Sequence, residues 1–373
     1  MNNLAHSQPN QASAEQATVQ AFIDLVQRGY ENPEGFSGKV KVVIPEYPEQ
    51  NFIAHMTQSL HITGDNLKQD TDTCITIPLV TMARICQEST FLDFRDPEII
   101  GTISVEGNLD YANHLGKACL QPDPFVKQRL TQAGQIHRAY NYRHLTKLDT
   151  LHQPSQIQLL QQLDTNQPFI ITGLAPDCQH WSLERLVEEF GDSIVRVRSA
   201  QQTQTMAEFV QELKDFQANP YSHMIEGFVK PYTEGAIMPE AMWDDFGPLF
   251  FNRQDFIPPQ LWLGAVPTHI PTSSLHRDPH TGFLLQVMGR KTLQLYSADQ
   301  ADMLYPHKAY NNYQPCWFKP EDPDYKLYPK AKQAKSITAT IGPGEILVQP
   351  AGWFHQVYAE DSPNMSVSYF WRF

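Results

Sequence analysis

The stretch that most constrains this chain is Leu275-His276-Arg277-Asp278-Pro279-His280, read together with Pro350-Ala351-Gly352-Trp353-Phe354-His355. A histidine and a carboxylate two positions apart share a face only on an extended backbone, so a strand lets His276 and Asp278 hold one ion and a helix does not. A third ligand must come from elsewhere, and His355 is the best candidate. Two histidines and one carboxylate bind one side of a metal ion and leave adjacent positions open.

The flanking sequence supports this reading. Gly342-Pro343-Gly344-Glu345 reads as a turn, and Ile346-Leu347-Val348-Gln349-Pro350 as an apolar strand that delivers His355 at its end. Phe283 to Met288 and Lys291 to Tyr296, joined by Gly289-Arg290, read as a hairpin with Lys291 opening the returning strand. A lone ammonium facing a cavity needs an anionic partner or loses its proton, and a dicarboxylate would supply one. In a chain with 14 histidines, H-x-D alone is a weak signal, and His269 or His280 fits equally as a surface or core residue. The combination with Lys291, the glycine turn and Trp353-Phe354-His355 carries the argument.

Residues 150 to 373 resemble the JmjC group of the cupin superfamily, the Fe(II)- and 2-oxoglutarate-dependent oxygenases, and within it the asparaginyl hydroxylase of the hypoxia response. The likeness includes Asp322-Pro323-Asp324-Tyr325-Lys326-Leu327-Tyr328-Pro329, the aromatic pair before His355, and three upstream stretches. These are Pro168 to Leu174, Trp181 to Leu186, and Phe190-Gly191-Asp192. The resemblance implies a mainly β double-stranded β-helix, or jelly roll, with flanking helices. It also implies that His276, Asp278 and His355 ligate iron, and that Lys291 and Ser273 hold the distal carboxylate of 2-oxoglutarate. Dioxygen is the third reactant, and the products are succinate, carbon dioxide and a hydroxylated C–H bond. Gly282 and Ser368 stand where the hydroxylase has asparagines. The expected substrate is a peptide or protein side chain; the alternatives are a small molecule or lipid, demethylation of an N-methyl carbon, or a non-catalytic metal-binding cupin. Tyr221, Trp262, Phe283 and Trp371 are candidates for the pocket lining, with core packing the plainer reading of each.

At 373 residues the chain has room for two domains. A small α+β domain is expected over residues 17 to 121, after a disordered tail at 1 to 16 and before a linker, or mostly helical bridge, at 122 to 149. Strand, glycine turn and helix recur there, ending in Thr102-Ile103-Ser104-Val105-Glu106-Gly107-Asn108-Leu109, which resembles sterol-carrier-protein-type domains. That likeness implies either an apolar tunnel for acyl chains or, with Phe91, Phe94 and Tyr111 filling the space, a docking or homodimerisation module. A formal charge of −13 disfavours nonspecific nucleic-acid or anionic-membrane binding. Five scattered cysteines without C-x-x-C, no signal peptide and no membrane-length apolar run set the expected location as cytoplasmic.

Overall fold

The computed structural model describes residues 11–64, 70–94, 96–197, 202–218, 231–247 and 251–372. Two compact units emerge: residues 1–124 with 307–312, and residues 125–306 with 313–373.

The first unit is α+β, as expected. Its five-stranded sheet has the spatial order Leu60–Gly64, Phe52–Met56, Gly38–Val43, Thr73–Thr76, Ser104–Gly107. The central strand pairs antiparallel with Phe52–Met56 and parallel with Thr73–Thr76. Alternation puts Val40 and Val42 on one face, where they are buried in a cluster with Phe22, Leu25 and Val26 of the Gln11–Gly29 helix and Met82 and Ile85 of the Leu79–Glu88 helix. Two expectations change. Residues 11 to 16 are helical rather than tail, because the amphipathic helix starts earlier than its apolar stripe. Phe91 is 60% exposed and fills no interior, while Phe94 and Tyr111 pack at the edge of the core. The stretch expected as a linker is largely the Pro124–Tyr140 helix, whose buried Val126, Leu130, Ala133 and His137 recur at helical spacing.

The second unit is a jelly roll of eight strands: β1 Gln260–Gly264, β2 Pro271–Arg277, β3 Gly282–Met288, β4 Lys291–Tyr296, β5 Ile337–Ile341, β6 Ile346–Gln349, β7 Phe354–Ala359 and β8 Asn364–Phe370. One sheet has the order β1-β8-β3-β6 and the other β2-β7-β4-β5, all antiparallel. Ala236–Ile237 extends the first sheet beyond β1, Phe169–Thr172 and Asp149–His152 extend it beyond β6, and Gln314–Pro315 edges the second beside β2. Between the sheets lie Leu284, Leu293, Leu295, Ile337, Ala339, Ile341, Leu347 and Val357. Every residue of β3 is buried, because Phe283, Leu285 and Val287 meet a second apolar layer with the Leu183–Phe190 and Met206–Ala218 helices.

The expected hairpin is not one. β3 pairs with β6 and β8 while β4 pairs with β5 and β7, so Gly289-Arg290 is a corner between sheets. Gly289 has φ +67, and a Cβ there would meet Asn364 Nδ2 at 2.8 Å, so the corner demands glycine. Local pattern shows that a chain turns; it does not show which sheet it enters. Likewise, the apolar strand does not deliver His355 at its end. β6 stops at Gln349, and His355 is the second residue of β7.

Candidate metal centre

His276 lies near the end of β2 and sits directly opposite His355 on β7. Asp278 is one residue past the strand's end. The three are the group of ligand-type side chains that converge among the described residues, every ligand atom within 4.8 Å of the others. Asp278 Oδ2 lies 3.8 Å from His276 Nε2 and 3.5 Å from His355 Nε2, and the imidazole centroids are 4.2 Å apart. Each histidine is oriented from behind in the same way. His276 Nδ1 bonds the Ser274 carbonyl at 2.7 Å, and His355 Nδ1 bonds the Trp353 carbonyl at 3.2 Å. A carbonyl only accepts, so both Nδ1 atoms carry the proton and both Nε2 lone pairs point toward Asp278. The Gly352 N–H donates to the Asp278 carbonyl at 2.8 Å, fastening the loop before His355 to the residue that supplies the carboxylate.

Burial pushes the Asp278 carboxyl upward, an effect His276 partly offsets, and burial holds His355 well below the usual imidazole range, with His276 adding to it. A divalent cation among the three would compensate the half-buried carboxylate and favour the neutral imidazoles. The donor set therefore fits such an ion: two neutral nitrogens and one oxygen on one side, with the remaining side left to other ligands.

Lys291 opens β4 and is 2% exposed. Its Nζ donates to Ser366 Oγ on β8 at 2.5 Å and lies 5.9 Å from the Tyr232 ring centroid and 5.8 Å from that of Trp262. It has no carboxylate partner among the described residues, and burial brings its pKa down to about 7. Nearby, the Tyr232 hydroxyl is buried without a hydrogen bond of good geometry to the described residues. Burial pushes that phenol up, which the Thr272 hydroxyl partly offsets. A buried ammonium and a buried phenol lacking full partners are what a carboxylate satisfies. Ser273 sits in β2 opposite Val357, and its hydroxyl makes no hydrogen bond to the described residues; the adjacent Thr272 donates to the Val357 carbonyl at 3.1 Å.

Sequence reasoning missed Tyr232, Thr272 and Ser366. No local motif marks the first two. Ser366 could have been found, since it alternates with Met365 and Val367 and, with Ser368, places hydroxyls at successive inward positions of a buried strand. Ser368 accepts a hydrogen bond from the Trp262 indole and Phe283 is core, so of the proposed lining Trp262 is the one tied to this pocket. Trp371 packs against the outer apolar layer and Tyr221 lies outside the described residues.

Residues 154–373 match the cupin-like domain family. Lysine-specific demethylase 8 of Xenopus tropicalis is 27% identical over 239 residues, covering 61% of this chain and 53% of that protein. HSPB1-associated protein 1 of Bos taurus is 25% identical over 235 residues, 54% of this chain and 47% of its own. JmjC domain-containing protein D of Dictyostelium discoideum is 35% identical over 109 residues, 28% of this chain and 23% of its own. None of the three bears the name of an asparaginyl hydroxylase, so that finer likeness is not established. The chain spans about half the length of the first two relatives. No helix among the described residues is long and apolar enough to cross a membrane. With more than half its length in the match and a His-Asp-His centre at the mouth of a jelly roll, the chain belongs to the JmjC-type cupin-like family, which includes Fe(II)/2-oxoglutarate oxygenases and histone demethylases.

Proposed function

We propose that this protein is a 2-oxoglutarate-dependent dioxygenase that hydroxylates an unactivated C–H bond in a peptide or protein side chain. The observation that carries the reading is the pairing of an open His276-Asp278-His355 triad with a buried amine, Lys291, that has no carboxylate partner among the described residues. A structural metal site has no use for such a lysine.

His276, Asp278 and His355 would hold Fe(II), which supplies the activation of dioxygen. Lys291 would anchor the far carboxylate of 2-oxoglutarate by a charge-assisted hydrogen bond, with hydroxyls from Tyr232, Ser366 and Ser273 or Thr272 completing its shell. The apolar residues between the sheets exclude water around that contact and strengthen it. The two Nδ1–H bonds to backbone carbonyls keep each imidazole in the ligating tautomer. In the first unit the space between helix and sheet is occupied by Phe22, Val40, Val42, Met82 and Ile85, which favours docking or self-association over an acyl-chain tunnel.

The test is succinate production from purified protein, Fe(II), 2-oxoglutarate and oxygen, with mass spectrometry of a native lysate before and after oxygen is admitted. The expected result is oxygen-dependent succinate and a one-oxygen mass gain on a defined peptide, both abolished by Asp278→Ala. Turnover at the normal rate in Asp278→Ala would overturn the ligand assignment. A mass gain confined to small molecules would overturn the substrate class.

A further inference from the structure

Between the two ligands of His276-Arg277-Asp278 stands a residue whose side chain leaves β2 on the opposite face from His276. Arg277 is 9% exposed. Its Nε and Nη2 both donate to Gln314 Oε1, at 2.8 and 2.6 Å, and its guanidinium carbon lies 4.6 Å from the centroid of the Phe354 ring. These partners are also its register partners. Arg277 is opposite Phe354 on β7 and opposite Gln314 on the short edge strand. On the next rung His276 is opposite His355 on one side and Pro315 on the other.

One side chain therefore clamps, from behind, the three strand segments whose front faces frame the metal centre. Alternation turns Tyr313 and Pro315 to the face of His276 when Gln314 turns to that of Arg277. The Tyr313 ring stands edge-on to the His276 ring with centroids 5.4 Å apart, and it is 44% exposed at the mouth of the site. Taking a guanidinium out of water is costly unless its donors are met. Here a planar fork is matched to a side-chain oxygen and an aromatic face, a geometry lysine cannot reproduce.

We infer that Arg277 is a positioning residue: through Phe354 and Gln314 it sets the spacing of His276 from His355 and holds Tyr313 against His276. It touches neither metal nor substrate. The inference rests on the reading of His276, Asp278 and His355 as metal ligands.

The test uses Co(II) as the probe on the full chain, following its d–d absorption and its affinity by chelator competition. Arg277→Met is expected to weaken Co(II) binding about tenfold or more, the range for groups that orient ligands from behind, and to alter the d–d band. Arg277→Lys keeps the charge without the fork and recovers that loss only in part. Gln314→Leu, which leaves Arg277 in place, loses several-fold, and the Arg277→Met, Gln314→Leu double variant loses no more than Arg277→Met alone. A folded Arg277→Met that binds Co(II) within twofold of the parent, with an unchanged band, overturns the role. If Arg277→Met does not fold, Gln314→Leu decides by the same criterion. Absence of Co(II) binding by the unsubstituted chain overturns the metal-centre reading and this role together; normal parental binding with unaffected variants overturns this role alone.

Discussion

Two buried basic groups make predictions at the scale of single residues. Because burial lowers Lys291 to about 7, it is close to half-charged at neutral pH before any anion arrives. An anionic carboxylate favours the ammonium, so 2-oxoglutarate binding should take up about half a proton at pH 7. Affinity should be level below that pH and fall by up to about tenfold per unit above it. Calorimetry in buffers of different ionisation enthalpy measures the uptake. Lys291→Met should remove it and weaken binding by about 1.5–3 kcal/mol, the worth of a hydrogen bond to a charged group; uptake unchanged in that variant would assign the proton elsewhere. His137 poses the converse case. It is fully buried, its Nδ1 accepts from the Ala298 N–H at 2.8 Å, its ring lies 5.0 Å from that of Trp353, and burial, with Arg277 adding, lowers it to about 3. Its folded pKa lies below its unfolded one, so its stability contribution is complete above about pH 6.5 and is lost as pH falls toward 3, at about 1.36 kcal/mol per unit. Urea midpoints between pH 7 and pH 4.5 should therefore fall more steeply in the parent than in His137→Gln. His355 shifts in the same direction, so the difference between the two proteins isolates His137. His276, Asp278, His355 and Lys291 were legible because H-x-D, the histidine that follows an apolar strand and an aromatic pair, and the strand-opening lysine are local patterns. His137, Tyr232 and Thr272 were not, because burial and proximity across the fold give them their character.

At the scale of elements, strands and helices could be read from alternation and periodicity while their partners could not. The runs at Phe283 to Met288 and Lys291 to Tyr296 were located correctly, and their assignment to one hairpin failed because a jelly roll sends consecutive strands to opposite sheets. The Leu60–Gly64 strand alternates in burial only weakly and escaped notice. The loop between β6 and β7 shows what such a joint requires. Gly352 has φ +84, and a Cβ there would meet the Ala133 Cβ of the Pro124–Tyr140 helix at 2.4 Å. Its N–H is also the donor to the Asp278 carbonyl. Gly352→Ala forces the loop away from both, since its backbone is strained for an L residue and the helix backbone behind it is packed. The expected outcome is a loss of about 1–3 kcal/mol in stability with a weaker Co(II) complex. Ala133→Gly in the same chain relieves the contact and should restore part of the metal affinity, although it cannot remove the backbone strain. Full Co(II) affinity in Gly352→Ala would show that the ligand loop does not depend on this contact.

For the whole molecule, composition and motif set an expected boundary near residue 122; by compactness the first unit comprises residues 1–124 with 307–312. What sequence could not show is that residues 307–312, carried on the connection between β4 and β5, belong to that first unit. The reason lies in individual hydrogen bonds. Asn311, 6% exposed, donates through Nδ2 to the Leu92 carbonyl at 2.7 Å, and the Lys308 N–H donates to the Glu31 carboxylate at 2.5 Å. A segment far along the chain thus completes the polar groups of the early one, and no pattern within residues 11 to 121 reveals the need. Asn311→Ala should leave the Leu92 carbonyl without this donor, at a cost of about 1–3 kcal/mol for a buried group. Because opening is local, the effect should appear in hydrogen exchange as faster exchange of amides in the Leu79–Glu88 helix and the turn after it, with the strands of the jelly roll unchanged. Asn311→Asp, which keeps the shape and loses the donor, should behave like the alanine variant. Exchange in residues 79 to 94 that is the same in all three proteins would mean that residues 307–312 lie against the first unit without stabilising it.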